Sequence, residues 1–86
     1  MRIDKIEKGM LAKSKAGHDK GQTYVIYELD ETYVYLVDGI HHTIEKPKKK
    51  KRKHVQFIVV QYDVSQTDDV GIKRILKLFD KETGRI

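Results

Sequence analysis

Two β-rich runs with three residues between them constrain this chain more than any other feature. Thr23-Tyr24-Val25-Ile26-Tyr27-Glu28-Leu29 and Tyr33-Val34-Tyr35-Leu36-Val37 are dominated by β-branched and aromatic side chains, with Asp30-Glu31-Thr32 as their link. A link that short joins antiparallel neighbours and has no room for the crossover that parallel strands require. Asp38-Gly39 follows at once and favours a second tight turn. Further short runs flank this pair: Met10 to Ser14 behind Gly9, a stretch around His42 to Glu45, and Val55 to Val60. Gly17 and Gly21 punctuate Ala16-Gly17-His18-Asp19-Lys20-Gly21, a turn whose backbone is expected to take positive φ. Short strands joined by tight turns predict a mainly β domain, a small antiparallel barrel rather than βαβ units.

Alternation along the central runs assigns Val25, Leu29, Val34 and Leu36 to the core. The opposite face carries Tyr24, Ile26, Tyr33, Tyr35 and Val37, too apolar to be wholly wet, and needs a cover. The C-terminal segment supplies one. Ser65-Gln66-Thr67-Asp68 has the form of a capping box, and Ile72, Ile75, Leu76 and Phe79 then recur at helical spacing. Asp68 and Asp69 suit the positive end of the helix dipole, Lys77 and Lys81 the negative end, and Gly84 is the expected stop. The division expected is a barrel over 1–62, including a basic segment at 46–53, and a helix over 65–83 packed on the barrel or appended to it.

Charge narrows the function. The 86 residues carry a net +5, but Lys46 to Lys53 alone holds seven basic residues, interrupted by Pro47. Without that segment the chain has eleven Lys and Arg against thirteen Asp and Glu, a balance of −2. A slightly acidic globule with one dense cationic cassette suggests attraction to a polyanion; the competing reading is a disordered, solvated charge run. Cysteine is absent, so no disulfide staples the fold. No apolar run approaches the ~18 residues of a membrane span, and no apolar signal segment follows Met1-Arg2-Ile3-Asp4-Lys5. Secretion and membrane insertion are therefore not expected, and the expected location is cytoplasmic.

Gly9, Lys13, Gly17-His18-Asp19-Lys20-Gly21, the Tyr24-to-Leu29 run and Asp30 to Gly39 together resemble the KOW motif of ribosomal and transcription-elongation proteins. Glu45-Lys46-Pro47-Lys48-Lys49-Lys50-Lys51-Arg52-Lys53-His54-Val55 is similar to the basic segment of small bacterial KOW-domain RNA-binding proteins. Those in turn resemble one group of archaeal and eukaryotic large-subunit ribosomal proteins. The resemblance covers residues 9 to 57, departing at His41-His42, where basic residues usually stand, and in the stretch after Phe57. It implies an SH3-like barrel of KOW type, with one C-terminal helix, that binds RNA without chemistry. The RNA implied is ribosomal RNA of the large subunit. The resemblance also implies that Gly21 permits the turn and that the neighbouring loop approaches RNA.

The candidate RNA-binding residues are Lys13, Lys20, Lys46, Lys48, Lys49, Lys50, Lys51, Arg52, Lys53 and His54. Gly17, Gly21, Asp38 and Gly39 are the structural turn positions. Lysines beside phosphates release condensed counterions, a gain nearly independent of sequence, and this cassette has one arginine and no aromatic residue with which to read bases. Tyr24, Tyr33 and Tyr35 are candidates for stacking on unpaired bases, although plugging the barrel rim or lying under the helix is the stronger expectation for them.

His18, His41, His42 and His54 match no zinc spacing, so neither a metal nor any other cofactor is expected. Ser14, Ser65 and the scattered acids form no nucleophile–base arrangement, so the chain is not expected to be an enzyme or to take a small-molecule substrate. It is expected to act as a monomer. The alternative is a protein-interaction module of the SH3 or Tudor kind, with the lysines facing an acidic partner and the tyrosine face as its cage or groove. Two further readings of the lysines stand behind it. Pro47 to Lys53 has the form of a nuclear localisation signal for a eukaryotic source. A polybasic contact with anionic lipid lacks a lipidation signal or an adjacent amphipathic helix.

Overall fold

The computed structural model describes residues 6–82. Strands β1 (Met10–Ser14), β2 (Thr23–Leu29), β3 (Tyr33–Val37), β4 (Lys48–Lys51) and β5 (Val55–Gln61) are followed by helix α1 (Asp69–Glu82). All pairings are antiparallel, and the sheet order is β4-β3-β2-β1-β5. Strands β4 and β5 thus stand at opposite edges, yet a single 3₁₀ turn at Arg52–His54 joins them. In a flat sheet those edges lie about 19 Å apart, whereas four Cα steps reach about 15 Å at full stretch. The sheet must therefore roll toward closure. This is the mainly β, barrel-like architecture with one C-terminal helix that the turn spacing predicts.

Rolling gives the sheet an inside and an outside, and both are apolar. Met10, Ala12, Tyr24, Ile26, Val34, Leu36 and Val55 fill the interior, with Leu29 and Phe57 at its margin. On the outside, Leu11, Val25 and Val37 pack beneath Ile72 and Phe79 of α1. Ile75 and Leu76 complete the helix stripe, so all four predicted apolar positions face the sheet.

The predicted faces need correction. Tyr24 and Ile26 belong to the interior and Val25 to the helix side. Pairing shifts from Ile26↔Leu36 to Glu28↔Tyr35, leaving Tyr27 as an extra residue in β2. A bulge of this kind reverses the alternation, so Leu29 returns to the side of Ile26. Uninterrupted alternation placed Val25 with Leu29 wrongly.

Residues 42–45 form no strand either. The Asp38 carboxylate accepts the N–H groups of Ile40, His41 and His42 at 2.9–3.0 Å, and the Ile44 N–H goes to the Asp69 carboxylate at 2.9 Å. Donors engaged by side chains are not available to a ladder. Gly39, at φ +79°, does make the predicted turn there, and a Cβ on it would run into the Asp69 carbonyl.

The helix begins later than the capping box implies. Asp68 is the N-cap, its carboxylate accepting the Gly71 N–H at 2.9 Å, while the Ser65 hydroxyl donates to Asp63. The expected stop at Gly84 lies outside the described residues. No helix among the described residues is long and apolar enough to cross a membrane.

Candidate nucleic-acid interface

The middle of the basic cassette, Lys48 to Lys51, is an edge strand, not a disordered run. Tyr33↔Lys51, Val34↔Lys50, Tyr35↔Lys49 and Leu36↔Lys48 are register partners, so β4 borrows its order from β3. Strand alternation then divides its lysines. Lys48 and Lys50 follow the inward Leu36 and Val34, whereas Lys49 and Lys51 follow the outward Tyr35 and Tyr33.

The inward pair does not lie freely in solvent, as a simple charge run implies. Lys50 Nζ donates to Asp19 Oδ1 at 3.2 Å and to the Ala16 carbonyl at 3.0 Å, and its side chain is only 12% exposed. Lys48 Nζ stands 3.7 Å from Asp19 Oδ2. Asp19 also accepts the Tyr24 hydroxyl at 2.9 Å, and the Ser14 hydroxyl shares its one proton between Asp19 Oδ1 and the Ala16 carbonyl. Burial alone favours a neutral Asp19. The bonds from Ser14, Tyr24 and Lys50, with the charge of Lys48, prevail and bring its carboxyl down to about 2. Tyr24 moves the other way: burial, its bond to Asp19 and the nearby acid charges push its phenol up. The acid therefore stays ionised, and it ties the Gly17–Gly21 turn to the basic strand.

That turn has the geometry its glycines predict. Gly17 and Gly21 have φ of +87° and +93°, and the Gly21 N–H donates to the Ser14 carbonyl at 2.9 Å. Lys20, which is exposed, follows Asp19 in this turn.

The outward surface joins cations to aromatic rings. Lys49 Nζ sits 4.2 Å from the Tyr33 ring centroid, a cation–π contact that orients the ammonium on the strand's outer face. The Tyr35 hydroxyl donates to Asp30 at 3.3 Å. Both tyrosines are partly exposed and belong to neither core cluster, whereas Tyr24 is buried in the interior against His42. Tyr24 thus offers no stacking face, while Tyr33 and Tyr35 keep theirs at the surface.

The remaining candidates scatter. Lys46, Lys51 and Lys53 are exposed along the cassette, and Arg52 is half-buried with its Nε enclosed. The His54 carbonyl accepts the Lys15 N–H at 2.8 Å. Lys13 stands on β1, which pairs with β2 and β5 and not with β4. Among the described residues no three His, Cys, Asp or Glu side chains gather as metal ligands.

Asp19 is the site residue that sequence reasoning missed. Its partner lies 31 positions away, so no local pattern announces it. An acid between two turn glycines, in a chain whose positive charge is concentrated elsewhere, is the one available signal. Neither the models of known protein families nor the curated proteins give a match to this sequence.

Proposed function

We propose that this chain is a non-catalytic RNA-binding protein whose phosphate contacts come from the outer face of β4 and from the Gly17–Gly21 turn. The observation that carries the reading is the Asp19–Lys50 contact, because it makes one surface of the two segments that the KOW resemblance assigns to RNA. Exposed Lys20, Lys46, Lys49, Lys51 and Lys53 present the charge. Lys48 and Lys50 hold the surface in shape. Point charges on flexible stems suit phosphates and carry little base information. Affinity from this face is accordingly broad.

The resemblance to large-subunit ribosomal proteins directs the proposal to ribosomal RNA and to a cytoplasmic, ribosome-associated role. Lysines on the β4 edge oppose pairing with another chain's edge, which favours a monomer. The alternative, an SH3- or Tudor-like module on an acidic partner, needs an aromatic cage. With Tyr24 buried and Lys49 over Tyr33, the tyrosine face has lost much of its means to form one.

Fractionation of cell extract on sucrose gradients tests the reading. The chain is expected to travel with large subunits at low salt and to leave them at high salt. Nuclease treatment should abolish its co-purifying partners; an association that survives nuclease points to the acidic-partner alternative instead.

A further inference from the structure

We propose that a groove on the far side of the same turn is a second RNA contact, one that seats an unpaired nucleotide. The inference rests on the RNA-binding reading and extends it to the class of RNA preferred. The groove lies where the β1–β2 turn at Gly21, the loop at Ile40 and the outer side of α1 meet. Contact between loop and helix is close, since a Cβ at Gly39 would press on the backbone and side chain of Lys73.

Its chemistry is cationic and apolar together. Lys73, Arg74 and Lys77 line the helix wall and are all exposed. Lys73 and Lys77 are four residues apart and so share one side of the helix. Two acids also border the groove, Asp38 and Asp80. Three backbone N–H groups occupy the Asp38 carboxylate without removing its charge, so three cations face two acids and the groove keeps a small positive excess on its helix wall. Ile40 and Val70 stand in the same groove, 64% and 52% exposed, among the few large apolar side chains the fold leaves in water.

Phosphates suit the three cations. A base laid between them meets the aliphatic faces of Ile40 and Val70 and the guanidinium plane of Arg74, a surface on which unstacked bases rest. A base held in a duplex cannot enter. RNA is favoured over an acidic peptide by continuity: the turn that Asp19 ties to β4 at one end forms the groove wall at Gly21 on the other. One strand following that turn meets positive charge on both sides, over a fold whose backbone spans 30 Å along its longest axis.

The test uses the full chain, a twelve-nucleotide single-stranded RNA and an RNA duplex of equal length, with binding followed by fluorescence anisotropy across a salt series. Replacing Lys73, Arg74 and Lys77 with glutamine should lessen the slope of log affinity against log salt by about 2 for the single strand, at ~0.7 per phosphate contact. Replacing Ile40 and Val70 with alanine should weaken the single strand about five-fold or more and leave the duplex unchanged, if the apolar area they bury against a base contributes about 1 kcal/mol. Thermal midpoints near wild type establish that both variants are folded. Wild-type binding by both variants, alongside loss in a β4 variant, overturns the groove and leaves the RNA reading standing. Wild-type binding by the β4 variant as well removes both. If the triple variant loses affinity for polyglutamate but not for RNA, the groove is an acidic-peptide site and the proposal is wrong.

Discussion

Asp19 and Lys50 meet at 3.2 Å across 31 residues of sequence, and their contact fixes a glycine turn to a strand composed entirely of lysine. Four like charges in a row repel one another and have little intrinsic preference for a strand. Pairing with β3 supplies the backbone bonds, and Asp19 offsets the charge of the two inward lysines. The outward lysines are left facing water.

Removing the Asp19 charge should therefore loosen the turn. Asp19→Asn is expected to lower stability by ~1–3 kcal/mol at neutral pH, because it leaves the mostly covered Lys50 ammonium without its anion. The folded carboxyl lies at about 2, below its ordinary 3.8, so its contribution is complete above about pH 4 and disappears as pH falls toward 2. Thermal unfolding between pH 2 and 5 checks this. The wild type should lose stability across that window, and Asp19→Asn should lose less.

The glycines separate two kinds of cost. Gly21 has φ +93° with open space where a Cβ would lie, so Gly21→Ala should cost about 1–2 kcal/mol from backbone strain alone. Gly21→Val should cost more, since β-branched residues tolerate that region badly. Gly39→Ala adds a collision with the Asp69 carbonyl and should be worse than Gly21→Ala. Denaturant unfolding of the three variants ranks them. Lys20→Ala should leave stability unchanged and weaken RNA binding.

The helix is part of the core. Phe79 is 8% exposed in the layer over Leu11, Val25 and Val37, so Phe79→Ala should cost ~3 kcal/mol or more. Truncation before Ser65 uncovers those three side chains, and dye binding should rise as the thermal midpoint falls. An unchanged midpoint means that α1 is an appendage.

Much of this architecture is legible in residue order because it depends on local signals. Ile72, Ile75, Leu76 and Phe79 announce their helix by spacing, and Gly17, Gly21 and Gly39 announce their turns by what only glycine does easily. The failures are non-local. The bulge at Tyr27 follows from how β2 meets β3, and nothing in the run from Thr23 to Leu29 marks it. Lys48 to Lys51 has no hydrophobic alternation from which a strand or its faces can be read, so the division into inner and outer lysines needs the partner strand and the Asp19 turn. Residues 42–45 lose their expected strand to the carboxylates of Asp38 and Asp69, the second of which arrives from the far end of the chain.

That division of the basic strand is the central claim, and salt-dependent RNA binding measures it directly. Two variants are compared with the wild type on one single-stranded RNA: outer Lys49 and Lys51, together with the exposed Lys53 of the following turn, to glutamine, and inner Lys48 and Lys50 to glutamine. The outer variant should keep its thermal midpoint while the slope of log affinity against log salt lessens by about 2, at ~0.7 per contact. The inner variant should lose thermal stability first, because it breaks the contacts to Asp19. Unchanged affinity and slope in a folded outer variant would contradict the account.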